Sequence, residues 1–370
     1  DESKKARNGS LTYKAGLRIL AFFAMTGKRQ LNLFGKFPME MFCVGKMRGL
    51  ANGRKMMKNY VIGRFLQMVP MLLCITFLAF AAMRLAGDDA VDLMYEKSGG
   101  VTEEVKAAKR AELGLDQPFL VQYGAWLKGA VTGNMGKSYI SGKPVWETFM
   151  EKLPATLYLM FASVLMTLAF AVPLGILAAV QQNRWVDVLI RIGTFVGNSL
   201  PNFFVGLLLI YVFAVRLEWL PILAKAGDGR AVLLPALTLA IAMGAKYTRQ
   251  IRAVVLEELA KPYVVGARAR GVKERTILVK SVLRSSLVLI VTLLALSMGS
   301  LLGGTAIVET IFLWDGVGKM AVEAVLARDY PLVQAYVAWM AVIYVVLNLA
   351  ADIFYRLLDP RVGYEKAGAL

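Results

Sequence analysis

Long apolar runs alternate along the chain with short charged stretches, and the length of the runs decides its class. A helix needs roughly 20 apolar residues to cross the hydrocarbon core of a bilayer. Six segments meet that demand, at about 65–83, 155–180, 190–215, 231–247, 286–312 and 333–355, the fourth being the shortest. Prolines fall inside several of them (Pro70, Pro173, Pro201, Pro235), a placement that neighbouring helices in a bundle tolerate. No segment shows the period-two alternation of a membrane barrel. The pattern therefore predicts an all-α integral membrane protein with six transmembrane helices.

Charge orients those spans. Residues 1–64 carry 14 Lys/Arg against 3 acids, and 245–285 carry 10 against 3, whereas 84–153 has a net charge of −1. Cytoplasmic loops of membrane proteins hold the excess of Lys and Arg. Both termini and the 245–285 stretch are thus expected in the cytoplasm, and 84–153 forms a long external insertion between spans one and two. The apolar string "LRILAFFAM" (17–25) competes as a signal peptide, but Arg18 interrupts it and no small-residue cleavage site follows. Of the 370 residues 57% are hydrophobic and 19% charged, too few charges for a soluble domain of this length, and the net charge of +17 belongs to loops.

Much chemistry is excluded. Without histidine the chain has no Ser/His/Asp triad and lacks the commonest zinc ligand. Its two cysteines, Cys43 and Cys74, make no disulfide framework. Met39, Met41, Cys43 and Met47 are a weak soft-metal pattern, because Met serves readily as apolar filler. "VTGNMGKS" (131–138) approaches a phosphate-binding loop, yet Val131 stands where the first glycine belongs and the string lies on the external side. The chain is expected to be no enzyme, to hold no cofactor and to have no nucleic acid partner.

Residues 263–287 read "YVVGARARGVKERTILVKSVLRSSL". Pro262 and Gly271 punctuate the stretch, and Ile277, Leu278, Val282 and Leu283 recur on a helix-like face. Two readings stand side by side: two short helices meeting at a glycine turn, or a basic amphipathic segment lying on anionic lipid. In the insertion, Thr102 can cap a helix that opens with Glu103 and Glu104 and ends near Gly114, with further helices over about 118–130 and 144–152. Inside the spans, Asn198, Ser199 and Asn202 surround Pro201, and Glu309 is the one acid deep in an apolar run. They are candidates for a translocation pathway. Interhelical hydrogen bonding is equally open for the three polar residues around Pro201, and snorkelling to the interface or pairing with a partner subunit is equally open for Glu309. Gly299 and Gly303 suggest close helix packing, and Asp352 and Arg356 an i, i+4 ion pair.

"GARARGVKERTILVKSVLRSSL" resembles the cytoplasmic coupling loop of binding-protein-dependent ABC importer permeases of the dipeptide/oligopeptide/nickel branch. The resemblance covers about residues 60–363 and includes "LGLDQPFLVQYGAWL", "LPATLYL", "SLPNFFVGLLL", "LPALTLA", "GGTAIVETIFLWDGVG", "ARDYPLVQ" and "LDPRVGY" in the family's order. It implies a permease domain at 60–363 with its coupling loop at 250–285, a basic membrane-surface extension at 1–59 and a short tail at 364–370. It implies that Gly271 is the loop glycine and Ala267 the small position before it, with Arg268, Arg270, Lys273 and Arg275 flanking an ATPase contact. It further implies a bacterial inner-membrane location, a second homologous permease, two cytoplasmic ATPase subunits and an external substrate-binding protein that meets the insertion. The cargo would be short peptides or nickel. The chain departs from the family at Val265, Gly266 and Ala267, which replace Glu-Ala-Ala, and at Pro262, where an acid often precedes the tyrosine. A secondary transporter or channel is the alternative, opposed by the single acid in the spans and the lack of a visible inverted repeat. A membrane-anchored scaffold acting through its basic N-terminus is another.

Overall fold

A computed structural model describes residues 53–85, 91–92, 95, 101–221 and 229–358. The "LRILAFFAM" string, the Met39–Met47 pattern and most of "LDPRVGY" lie outside the described residues. Asp352 and Arg356 lie in a helix whose side chains there are not described. The chain divides into two compact units, residues 1–149 with 321–342, and residues 150–320 with 343–370.

The first unit contains α1 (Gly53–Leu85), α2 (Glu103–Glu112), α3 (Phe119–Val131), the opening of α4 (Val145–Val180) and parts of two later helices. The insertion is thus helical, as expected, with one difference: the predicted helix at 144–152 is the beginning of α4, which runs unbroken through Pro154 and Pro173. Thr102 occupies the N-cap of α2, but its carbonyl rather than its side chain meets the first-turn amides. Aromatic edges hold α3 to α1, with Phe77 and Phe80 packed against Phe119 and Tyr123, and Thr76 Oγ1 3.0 Å from the Tyr123 hydroxyl. The glycine-rich 132–144 loop is anchored differently. Asp329 accepts from Ser138 Oγ at 2.5 Å and from the Tyr139 amide at 3.1 Å. The lysine-serine of the near-miss phosphate loop is therefore part of a structural turn.

The second unit is built around α7 (Leu233–Leu259), against which α5 (Trp185–Ser199), α6 (Asn202–Leu209) and, later in the chain, α10 (Leu283–Ile311) pack. Between them come α8 (Pro262–Ala269) and the three-residue α9 (Glu274–Thr276), which passes through a π-helical segment, Ile277–Val282, into α10. α11 (Val317–Leu326) and α12 (Tyr330–Leu358) complete the chain. Gly299 does mark a close approach: a Cβ there would lie 2.4 Å from the Tyr344 ring of α12.

Three described helical stretches are long and apolar enough to cross a membrane: Leu66–Leu85, Val145–Val180 and Tyr330–Ala351. The expected span at 190–215 is instead a bent pair, broken by 104° between Ser199 and Asn202. Pro201 explains the break, because a residue before proline is pushed out of the α region and Leu200 takes an extended ψ of 136°. α7 forms where the fourth span was predicted, but it turns polar at Lys246, Arg249 and Gln250, too soon to stay apolar over a full crossing. The six-span count is accordingly not reached among the described residues, although all six predicted segments are helical.

The start of α11 shows how the second unit satisfies its buried polar groups. The first amides of a helix have no intrahelical partner. Here Val317 N donates to Thr156 Oγ1 at 2.9 Å, and Lys319 N donates to the carboxylate of Glu309 at 2.9 Å. Thr156 Oγ1 in turn donates to Glu309 at 2.8 Å. Glycine is required beside them, since a Cβ at Gly316 would sit 2.5 Å from Glu309 Oε2 and 2.4 Å from Thr156 Oγ1.

Thr156→Val removes a donor and an acceptor at once from this buried knot. It should destabilise the detergent-solubilised protein by about 1–3 kcal/mol, while Thr156→Ser should cost far less; thermal unfolding of the two side by side checks this. In the first unit, Asp329→Ala should release the 132–144 loop, and limited proteolysis should then cut there sooner than in the wild type.

Candidate coupling site

The basic hairpin folds as two helical pieces around a glycine, not as one continuous surface helix. Lys261 is extended at the N-cap, and Pro262 starts α8 where a missing amide costs nothing. At the other end, Gly271 N donates to Arg268 O at 2.9 Å and Val272 N to Ala267 O at 3.2 Å. These are the paired bonds of a Schellman cap, with Gly271 at φ +75° in the left-handed position. A Cβ at Gly271 would meet nothing within 4 Å, so glycine is needed there for backbone conformation alone.

The two faces of the hairpin differ. Val264, Ile277 and Val282 are buried in one apolar cluster with Ala171 and Ala179 of α4, Tyr247, Ile251 and Val255 of α7, and Ile290 of α10, and Ala267 packs against it. Arg268, Arg270, Gly271, Lys273 and Arg275 are all exposed. So are Tyr263, Val265, Val272 and Val279, which gives the outer face an apolar strip among its cations. Arg268 is steadied by Glu274 across the glycine turn. Every residue expected at the ATPase contact therefore lies on this one hairpin, with the four cations outward and Ala267 half-buried.

A second anchor joins α7 to α8. Glu258 is buried and accepts from the Tyr263 hydroxyl at 2.7 Å and from Lys261. Burial pushes its carboxyl up, but the Lys261 and Tyr263 hydrogen bonds outweigh that and hold it below the usual carboxylate range. A carboxylate with a depressed folded pKa stabilises the structure above its unfolded value and loses that contribution as pH falls through the folded one. The clamp is therefore fully charged at neutral pH.

The pathway candidates separate into two groups. Asn198, Ser199 and Pro201 are exposed at the break between α5 and α6, and Asn202 is half-buried beside them. Ser199 Oγ donates to Phe195 O at 2.8 Å, so its hydroxyl is already turned to its own helix. Glu309 is elsewhere: it is fully buried, its carboxylate committed to Thr156 and the first amides of α11. Sequence reasoning passed over Asp187, which is fully buried and held by Arg252 at 2.7 and 2.8 Å and by the Asn183 amide at 2.9 Å. Its signal was one acid among basic residues at the start of an apolar run.

Comparison with known proteins bears on most of the chain. The permease protein AppB of an oligopeptide transport system in Bacillus subtilis (strain 168) is 37% identical over 322 residues, covering 83% of this chain and 100% of that protein. The permease protein GsiC of a glutathione transport system in Escherichia coli (strain K12) is 36% identical over 311 residues, covering 84% of this chain and 100% of that protein. Both are named as permease subunits rather than enzymes. Among solved structures, an inward-facing form of the MetNI methionine ABC transporter aligns with a TM-score of 0.49 at 15% identity, covering 57% of this chain and 96% of that one. Residues 56–160 match the N-terminal membrane component of binding-protein-dependent transport systems. Residues 171–364 match the family's main segment, and the chain belongs to the binding-protein-dependent transport system inner membrane components, the permease subunits of ABC importers.

Proposed function

We propose that this chain moves short peptides across the bacterial inner membrane as one of two homologous permeases, driven by two separate cytoplasmic ATPase subunits and supplied by an external substrate-binding protein. The observation that carries the reading is the two-faced hairpin. Its outer face offers Arg268, Arg270, Lys273 and Arg275 around an apolar strip, while its inner face is part of the core between α4, α7 and α10. Packed interiors transmit displacement because they are dense and poorly compressible. A subunit that pushed on the hairpin would therefore move the spans, and alternating access needs such a link. The Glu258–Tyr263 clamp stiffens it.

The other parts are assigned by the same logic. Charge asymmetry supports cytoplasmic termini and a cytoplasmic hairpin. The insertion leaves Leu120, Val121, Val131 and Ile140 exposed, an apolar supply suited to a protein partner. Asn198, Ser199, Pro201 and Asn202 offer polar groups at the helix break, where a pathway through apolar spans needs them. The names of the relatives, oligopeptide and glutathione, support peptide cargo, whereas nickel rests on the breadth of the branch alone.

The test is a pair of substitutions at one site. Gly271→Val and Gly271→Asn both have room, but only Asn tolerates the left-handed backbone; the strain on Val is about 1–2 kcal/mol. In membrane vesicles holding the assembled transporter, peptide uptake should require ATP, fall about tenfold or more with Val, and largely survive with Asn. ATPase subunits should co-purify more weakly with the Val variant. Uptake that ignores ATP, or a Val variant that behaves as wild type, would favour a secondary transporter. Tyr263→Phe, which deletes one bond of the clamp, should lower uptake per ATP hydrolysed while leaving ATPase binding intact; measuring both rates on one preparation checks it.

A further inference from the structure

Between the first turns of α5 and the second half of α7 lies an open pocket of about 590 Å³, lined by Val188, Arg191, Ile192, Phe195, Arg249 and Arg252. Three guanidinium groups converge there from two helices. The carboxylate that faces them is Asp187, and it is already taken: Arg252 grips both its oxygens, and the Arg191 Nε stands 3.5 Å from one of them. Arg249 is exposed. Three cations against one buried acid leave two positive charges at the mouth of the pocket. The remaining wall is apolar, with Ile192 and Phe195 more than half exposed and Val188 beside them.

That combination narrows the ligand. Helix packing alone would not gather three arginines, and a free anion would have no use for Phe195 and Ile192. An anion joined to hydrocarbon fits both halves. Guanidinium groups bind phosphate oxygens in pairs, and basic pockets between membrane helices take acidic headgroups. The stretches at this end of the helices, 181–191 and 245–285, are those that charge counting puts on the cytoplasmic side, where acidic lipid meets them. We propose that this pocket holds the phosphate of an acidic phospholipid, its acyl chains lying along Val188, Ile192 and Phe195. The bidentate Asp187–Arg252 pair is the fixed post of the site, while Arg191 and Arg249 reach the headgroup. This rests on the chain being a membrane protein with these helix ends on the cytoplasmic side, so it stands apart from the choice of cargo or energy source.

The experiment uses the intact transporter purified from native membranes, with bound lipid measured by mass spectrometry after exchange into nanodiscs of equal phosphatidylglycerol and phosphatidylcholine. The variant is Arg191→Gln with Arg249→Gln, which leaves Asp187 and Arg252 paired. Wild type should retain phosphatidylglycerol in preference to phosphatidylcholine. The double variant should lose that preference by about thirtyfold, the scale expected when two cations leave an anionic surface. Arg249→Lys, which keeps the charge, should retain most of it, and single Arg249→Gln decides the matter if the double variant folds poorly. Equal retention by wild type and variant would overturn the proposal. So would a pocket emptied of lipid by millimolar inorganic phosphate, which would make it a free-anion site, or one that retains no lipid because a second permease subunit covers it.

Discussion

A Cβ at Gly175 would lie 2.7 Å from the Cγ2 of Ile251 and 3.0 Å from the carbonyl oxygen of Thr248, so α4 and α7 touch almost backbone to backbone. The same device recurs around α7. Gly197 of α5 faces Ala245 at 3.3 Å, and Gly206 of α6 faces Thr238 at 3.4 Å. In lipid there is little hydrophobic gain from bringing helices together, so association depends on close van der Waals fit, and small residues make that fit possible. α7 is thereby held by three helices, and its continuation beyond Ile251 carries Val255 and the buried Glu258 to the hairpin. The hairpin's inner face has a core to join only because α4 comes this near.

Polar groups inside the second unit follow a second rule: each buried charge is consumed locally. Glu309 sits at the head of α11 as a capping acceptor, the place where a helix offers unpaired amides and a favourable dipole. Asp187 does the equivalent at the head of α5, receiving the Asn183 amide across a turn in which Asn183 itself takes φ +62°. Both carboxylates hold helix ends in place. Removing either partner of such a pair is costly because the other is left buried and uncompensated.

The helices, the glycine turn and the outward cations were legible in the sequence, because run length, a lone glycine and charge clustering are local signals. Gly271 could be placed from its neighbours alone. The break at Leu200 and Pro201 was half visible: proline was seen, but whether a proline kinks or splits a helix depends on what packs around it. The partners of Glu309 were not visible at all, since Thr156 lies 153 residues away and nothing in either segment announces the other. The same holds for Ser138 and Asp329. Spacing reveals faces; it does not reveal which distant face will be met.

Ile277 and Val282 are both buried although they stand five residues apart, a spacing that would put them on different sides of an α-helix. The π-helical segment between them absorbs one surplus residue and brings both to the same side. Phase, and not length, is what this segment stores. A single deletion within 277–282 would let an ordinary α-helix close up with nearly the same phase, since four steps of about 100° replace five of the wider turn. A residue added to the α-helical turns beside it would instead rotate everything before it by about 100° relative to α10. The hairpin would keep its sequence, its glycine and its charges while presenting them in the wrong direction. The π turn can therefore give up its surplus residue without turning the hairpin, but the α-helical turns beside it cannot gain one.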